Sequence, residues 1–177
     1  VPNDTTITLQ IPITKVVTLG GNTAPQRTTF TFDATPSDER YGSSDTGLRE
    51  VQNCTVSVSG EGAFNCVMTI RIEQEDLRDL TDLHGIFITE TYDEQPGWTY
   101  DKARWFLQPQ CKWSDAAQEY KWTGGWNCYN KFEVTEDGVL FDRDAAQGGL
   151  GFVNTYTENT YKTATLNKTD HFAFLKG

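Results

Sequence analysis

Polar and apolar residues alternate without a break from Thr6 to Ile13, through Thr6-Ile7-Thr8-Leu9-Gln10-Ile11-Pro12-Ile13. Successive side chains of a β-strand point to opposite faces, so this period of two gives one apolar and one wettable face, as a half-buried strand requires. Thr28-Thr29-Phe30-Thr31-Phe32 repeats the pattern. Residues 51–59 and 63–72 read as the two arms of a hairpin around Ser-Gly-Glu-Gly. Further strands are expected over 85–91, 102–108, 129–135 and 151–157. Only Glu75-Asp76-Leu77-Arg78-Asp79-Leu80 has helical character, and it suffices for one or two turns. Turn chemistry recurs at short intervals, at Gly20-Gly21-Asn22, Pro36-Ser37-Asp38, Gln95-Pro96-Gly97, Gly124-Gly125, Asp137-Gly138 and Gly148-Gly149. No period of about 20 to 50 residues is present, which excludes propellers and solenoids. The expectation is an all-β chain folded as an immunoglobulin-like β-sandwich.

The chain has 177 residues, enough for one domain with a two-layer core. A hydrophobic content of 37%, with 12% aromatics, excludes a disordered polymer. Fifteen Lys and Arg against 25 Asp and Glu leave a net charge of −10, which repels nucleic acid and anionic membranes. No apolar run approaches the roughly 18 residues of a membrane span and no leader is visible, so no membrane insertion is expected and the chain reads as a mature or trimmed ectodomain.

The cysteines fall as Cys54 with Cys66 and Cys111 with Cys128, without the Cys-x-x-Cys spacing of zinc or redox sites. Four cysteines allow three pairings. Cys54 and Cys66 flank Gly60 and Gly62 as cross-strand partners of a hairpin would, and Cys111 and Cys128 flank a polar centre near Glu119. The local pairs are therefore preferred, giving two disulfide-stapled hairpins in an oxidising, extracytoplasmic setting.

Three polar residues far apart in sequence suggest a reaction within the chain. Lys15 lies between Ile13 and Val16-Val17, where an amine loses hydration and becomes available as a neutral nucleophile. Asn154, in Gly151-Phe152-Val153-Asn154-Thr155-Tyr156-Thr157, offers an amide carbon that is inert until its carbonyl is polarised. Glu90, between Ile88 and Tyr92, is the carboxyl expected to donate a hydrogen bond to that oxygen and to pass a proton to departing ammonia. Close placement of all three in a dry core would replace an external catalyst.

These stretches carry a resemblance. Ile13-Thr14-Lys15-Val16-Val17 followed by Gly20-Gly21, then Ile88-Thr89-Glu90 leading to Pro96-Gly97-Trp98-Thr99-Tyr100-Asp101, then Phe152-Val153-Asn154-Thr155-Tyr156-Thr157 resemble the Lys-to-Asn isopeptide-linkage domains of Gram-positive pilins and surface adhesins, of the streptococcal backbone-pilin type. The resemblance spans residues 13 to 157. It implies first and last strands side by side, Lys15 bonded to Asn154, and Glu90 as the catalytic carboxyl. It also implies an extracellular module attached to the cell wall or a pilus, with neighbouring pilin or adhesin modules as partners. The cysteines and the Trp-rich stretch depart from the simple pilin pattern. On this reading 1–157 is the isopeptide-linkage domain and 158–177 a tail, linker or extra strand, in which Lys162 and Lys168 are accessible to a sortase.

An alternative is a glycan- or protein-binding adhesin domain. Trp113, Tyr120, Trp122 and Trp126 lie together in the Cys111 to Cys128 segment, and a disulfide-pinned finger of aromatics can stack on sugar rings or hold a host protein. The same residues would equally form a local core. His84 and His171 lack a second ligand at metal spacing, and Asp137, Asp142 and Asp144 lack the regular pattern of a calcium loop. No metal or cofactor is expected, and no triad or phosphate-loop motif marks an enzyme acting on a separate substrate.

Overall fold

A computed structural model of the chain describes residues 5–37, 48, 50–81 and 84–161. The tail is thus described only as far as Tyr161, and Lys162, Lys168 and His171 lie outside the described residues. Among the described residues there are twelve strands: β1 Thr6–Leu19, β2 Thr28–Pro36, β3 Glu50–Gln52, β4 Thr55–Val58, β5 Gly62–Glu73, β6 Ile86–Thr91, β7 Trp98–Thr99, β8 Arg104–Ser114, β9 Glu119–Tyr129, β10 Phe132–Thr135, β11 Gly138–Phe141 and β12 Gly151–Tyr156. They form a five-stranded sheet in the order β3-β5-β1-β12-β7, a second five-stranded sheet in the order β4-β2-β6-β8-β9, and the separate hairpin β10-β11. The helix-like stretch resolves into two 3-10 turns, Gln74–Asp76 and Asp79–Thr81.

The two large sheets stack as a sandwich, and their facing sides supply one core. Along β1 the inward positions are Leu9, Ile11, Ile13, Lys15 and Val17, all buried, while Thr8, Gln10, Pro12 and Thr18 are exposed. Phe30 and Phe32 of β2, Met68, Ile70 and Ile72 of β5, Ile86 and Ile88 of β6, and Phe152 of β12 meet them from the other strands. Phe87, Phe106, Tyr129 and Val139 form a second, smaller cluster on the outer side of the β6-β8-β9 sheet, covered by β10-β11. Strand β11 lies outside the strands expected from alternation, because it is only four residues long and begins within the turn chemistry of Asp137-Gly138.

β1 and β12 run parallel and side by side, with Lys15 opposite Phe152 and Val17 opposite Asn154. The pairing continues past the strand ends, since Gly20 N–H donates to the Tyr156 carbonyl (2.8 Å) and Asn22 N–H to that of Glu158 (3.1 Å). Gly97 adopts φ +89°, and a Cβ there would stand 2.7 Å from the Tyr156 ring, so this turn beside β12 needs glycine twice over.

The cysteine expectations need correction on two counts. Cys54 and Cys66 do form a disulfide, with Cα atoms 5.9 Å apart, but not within a hairpin. β4 pairs with β2 and β5 with β1, so the turn at 59–61 carries the chain from one sheet to the other and the bond ties the sheets together. Cys111 and Cys128 are free thiols. Across β8-β9, Cys128 faces Leu107 and Cys111 faces Trp122. The two cysteines are therefore out of register by four residues, about 13 Å of strand, beyond the ~7 Å Cα separation a disulfide can bridge. The second stapled hairpin is an ordinary hairpin.

Candidate functional site

Each large sheet buries polar groups where its alternation calls for apolar ones. On β1 Lys15 follows Leu9, Ile11 and Ile13 in the inward phase; on β6 Glu90 follows Ile86 and Ile88; on β12 Asn154 stands between Phe152 and Tyr156. Lys15 and Asn154 are wholly buried on neighbouring strands, and Glu90, 9% exposed, reaches them from the facing sheet. Unpaired groups of this kind in a core cost several kcal/mol each, so the three are stable there only as mutual partners.

They are mutual partners. Lys15 Nζ donates to Glu90 Oε2 at 2.5 Å, and Asn154 Nδ2 donates to Glu90 Oε1 at 2.6 Å, so one carboxyl holds the amine and the carboxamide on its two oxygens. Asn154 Oδ1 accepts from the main-chain N–H of Asp101 at 2.7 Å. The amide orientation follows from donor logic: a main-chain N–H can only donate, so the Asn154 atom before it is the oxygen and the amide nitrogen turns to Glu90. The expected hydrogen bond from Glu90 to the Asn154 carbonyl is thus not the arrangement found: Glu90 faces the amide nitrogen, and Asp101 N–H faces the oxygen. Asp101 is the group that sequence reasoning passed over. It sits in the quoted Trp98-Thr99-Tyr100-Asp101 stretch, and its only local signal is the tendency of Asp to bond an N–H two residues on, realised here with Ala103 at 2.9 Å.

Burial pushes the Lys15 pKa below its ordinary 10.5, against the opposing pull of the hydrogen bond that Lys15 donates to Glu90 and of the charges of Glu90 and Asp101. Aromatic rings close the site. The Phe30 ring centroid is 4.2 Å from Lys15 Nζ, Trp98 meets Phe30 edge-on at 5.2 Å, and Tyr156 packs on Trp98 at 5.2 Å. A dry enclosure of this kind strengthens every polar interaction inside it.

The aromatic finger separates into parts. Trp126 is buried and its indole donates to the Gln10 carbonyl of β1 at 2.8 Å; Trp122 packs on the core and donates to the Gly125 carbonyl at 2.9 Å. Both indole N–H groups are thus bonded to main-chain carbonyls within the fold. Trp113 is 46% exposed and meets Tyr120 edge-on at 5.1 Å. Together with Glu73, Gln74, Arg78 and Glu119 they line an open hollow of about 620 Å³. Asp142 accepts from Asp144 N–H as the cap of a 3-10 turn, and among the described residues no cluster of His, Cys, Asp or Glu is arranged to hold a metal ion. Among them, too, no helix is long and apolar enough to cross a membrane.

No protein-family model matches the sequence, and no curated protein does. Solved structures do match. The chain is similar to the major pilin from Streptococcus pyogenes, with 18% identity and a TM-score of 0.54 over 84% of this chain and 50% of that one. A glutamate-to-alanine mutant of that pilin gives 18% and 0.53, and an asparagine-to-alanine mutant 16% and 0.51, each over the same shares. The chain spans half the length of these pilins, and at such identities the likeness is one of fold: an all-β, pilin-like sandwich.

Proposed function

We propose that this chain is a structural module of a bacterial pilin or surface adhesin, stabilised by a self-formed isopeptide bond between Lys15 and Asn154 that Glu90 promotes. The observation that carries the reading is the buried carboxyl of Glu90 holding Lys15 Nζ at 2.5 Å and Asn154 Nδ2 at 2.6 Å. Nucleophile and leaving group then share one proton carrier. Glu90 takes a proton from Nζ, the freed lone pair attacks Cγ of Asn154, and the Cγ–Nδ2 bond breaks as Glu90 delivers protons to Nδ2. Of the three Nζ protons one remains on the new amide and two depart with the nitrogen as ammonium, leaving Glu90 as it began. No cofactor or oxidant enters. The reaction is a single turnover within the protein, driven by near-attack placement in a dry core.

On this reading residues 1–157 form the linkage domain, within an immunoglobulin-like frame, and 158–177 are a tail, linker or extra strand. The setting is extracellular, at a Gram-positive cell wall or in a pilus, with neighbouring modules as partners. Intact mass of the reduced chain tests the proposal. Wild type should be lighter than calculated by one ammonia, and Lys15→Ala, Asn154→Ala and Glu90→Ala should each regain that mass. A wild-type chain of full calculated mass would falsify the mechanism.

One feature supports an additional binding role. The half-exposed Trp113 beside Tyr120, in a hollow edged with Glu73, Glu119 and Arg78, presents a ring face and polar groups as a sugar ligand requires. Glycan-array binding that disappears in Trp113→Ala, with the ammonia deficit intact, is the expected result. An array with no binding removes this role and leaves the structural one untouched.

A further inference from the structure

We propose that the main-chain N–H of Asp101 activates the Asn154 carbonyl and stabilises the oxyanion formed when Lys15 attacks, and that the Asp101 carboxylate is the positioning group that aims it. This inference rests on the cross-linking reading above and assigns the one part of the chemistry that Glu90 does not supply. A carboxamide is a poor electrophile, and attack at Cγ places negative charge on Oδ1. Glu90 is turned to the amide nitrogen, with one oxygen on Nδ2 and the other on Nζ. The donor facing Oδ1 is Asp101 N–H, at 2.7 Å, and Asn154 is wholly buried. A preorganised donor in a water-excluded site, aimed where charge develops, is a large term in acyl-transfer catalysis.

The side chain of Asp101 is spent on holding that N–H in place. Its Oδ2 accepts from Val153 N–H at 2.8 Å and its Oδ1 from Ala103 N–H at 2.9 Å. The first bond fastens the 100–103 segment to β12 at the residue before Asn154, and the second closes a turn that fixes the peptide plane. Donor and electrophile are thus anchored to each other through adjacent residues of one strand. The division of labour follows: Glu90 moves protons between the two nitrogens, and Asp101 N–H receives the charge on oxygen.

The test is the rate of cross-linking in full-length chains made by cell-free synthesis, quenched in denaturant at timed intervals and scored by the ammonia deficit. Replacing residue 101 by the α-hydroxy acid counterpart of aspartate converts its amide to an ester, which removes the N–H and keeps the carboxylate. This chain should cross-link about 10²- to 10³-fold more slowly than wild type. Asp101→Ala should also be slow, and Asp101→Asn, which keeps one acceptor oxygen, should recover part of the rate. Each change is repeated on Lys15→Ala, which cannot react, so that thermal melting reports the fold separately. A folded ester chain that cross-links at the wild-type rate overturns the inference; if the ester chain does not fold, wild-type rates in both Asp101→Ala and Asp101→Asn overturn it. A wild-type chain with no deficit at any time is a different failure, that of the cross-linking reading itself.

Discussion

Lys15 fills an inward position of β1 that its neighbours Ile13 and Val17 mark as apolar, and its energetics are those of a buried amine. With its pKa held below 10.5 by burial, the unfolded chain keeps its Lys15 proton over a range in which the folded chain has lost it. Stability of an uncrosslinked protein must then rise with pH between the lowered value and 10.5, and be flat below it. Asn154→Ala isolates the effect, and Asn154→Ala/Lys15→Met/Glu90→Gln serves as reference so that tyrosines cancel. Urea melts at increasing pH should show Asn154→Ala gaining on the reference; a constant gap would mean that the buried amine is not penalised. The inward placement of Lys15, Glu90 and Asn154 was legible, because each interrupts an alternating strand in its apolar phase. What was not legible is which atom of Asn154 meets which partner. That depends on Asp101, brought to β12 by a turn between β7 and β8, and no local pattern in the sequence encodes the meeting.

Among the elements, the strands with strict alternation were readable, and the resemblance also implied the neighbouring of first and last strands seen in β1 and β12; the partners of β4 and β5 and the register of β8-β9 were not readable. Cys54 and Cys66, symmetric about two glycines, imitate a hairpin in sequence, yet β4 and β5 enter different sheets, a choice made by the apolar faces of β2 and β1 rather than by the turn. The same symmetry misled at Cys111 and Cys128, where the register of β8-β9 sets them four residues apart. Burial raises these thiols to about 11 and about 12, so at pH 8 only about 10⁻³ to 10⁻⁴ of each is thiolate. Without reductant, the native protein should therefore react slowly with a disulfide reagent, and denaturation should release two thiols per chain. None released would mean a second disulfide, and four would mean that the Cys54–Cys66 bond is absent. The turn before β7 makes a further demand. Gly97→Ala forces a Cβ into a left-handed residue and against Tyr156, and should cost about 1–3 kcal/mol in chemical denaturation. An effect below ~0.5 kcal/mol would show that the turn relaxes freely.

For the whole molecule, the arrangement that matters is the parallel pair of β1 and β12. A covalent bond from Lys15 to Asn154 would close a loop of about 140 residues, worth about 5 kcal/mol by loop entropy and hence on the order of 10–20 °C in melting temperature for a chain this size. Under tension the consequence is larger. Because the two strands lie side by side and point the same way, force entering along β1 would leave along β12 through the bond, and the residues between would carry none of it. In single-molecule pulling from both ends, wild type should then show no extension from the 15–154 segment, whereas Asn154→Ala should lengthen abruptly by about 500 Å as some 140 residues straighten. Equal extension in the two chains would separate the pilin-like fold, which needs no bond, from the mechanical role, which cannot do without it. The Cys54–Cys66 disulfide lies inside the same loop and shortens the variant's extension only slightly, so the readout belongs to the Lys15–Asn154 link.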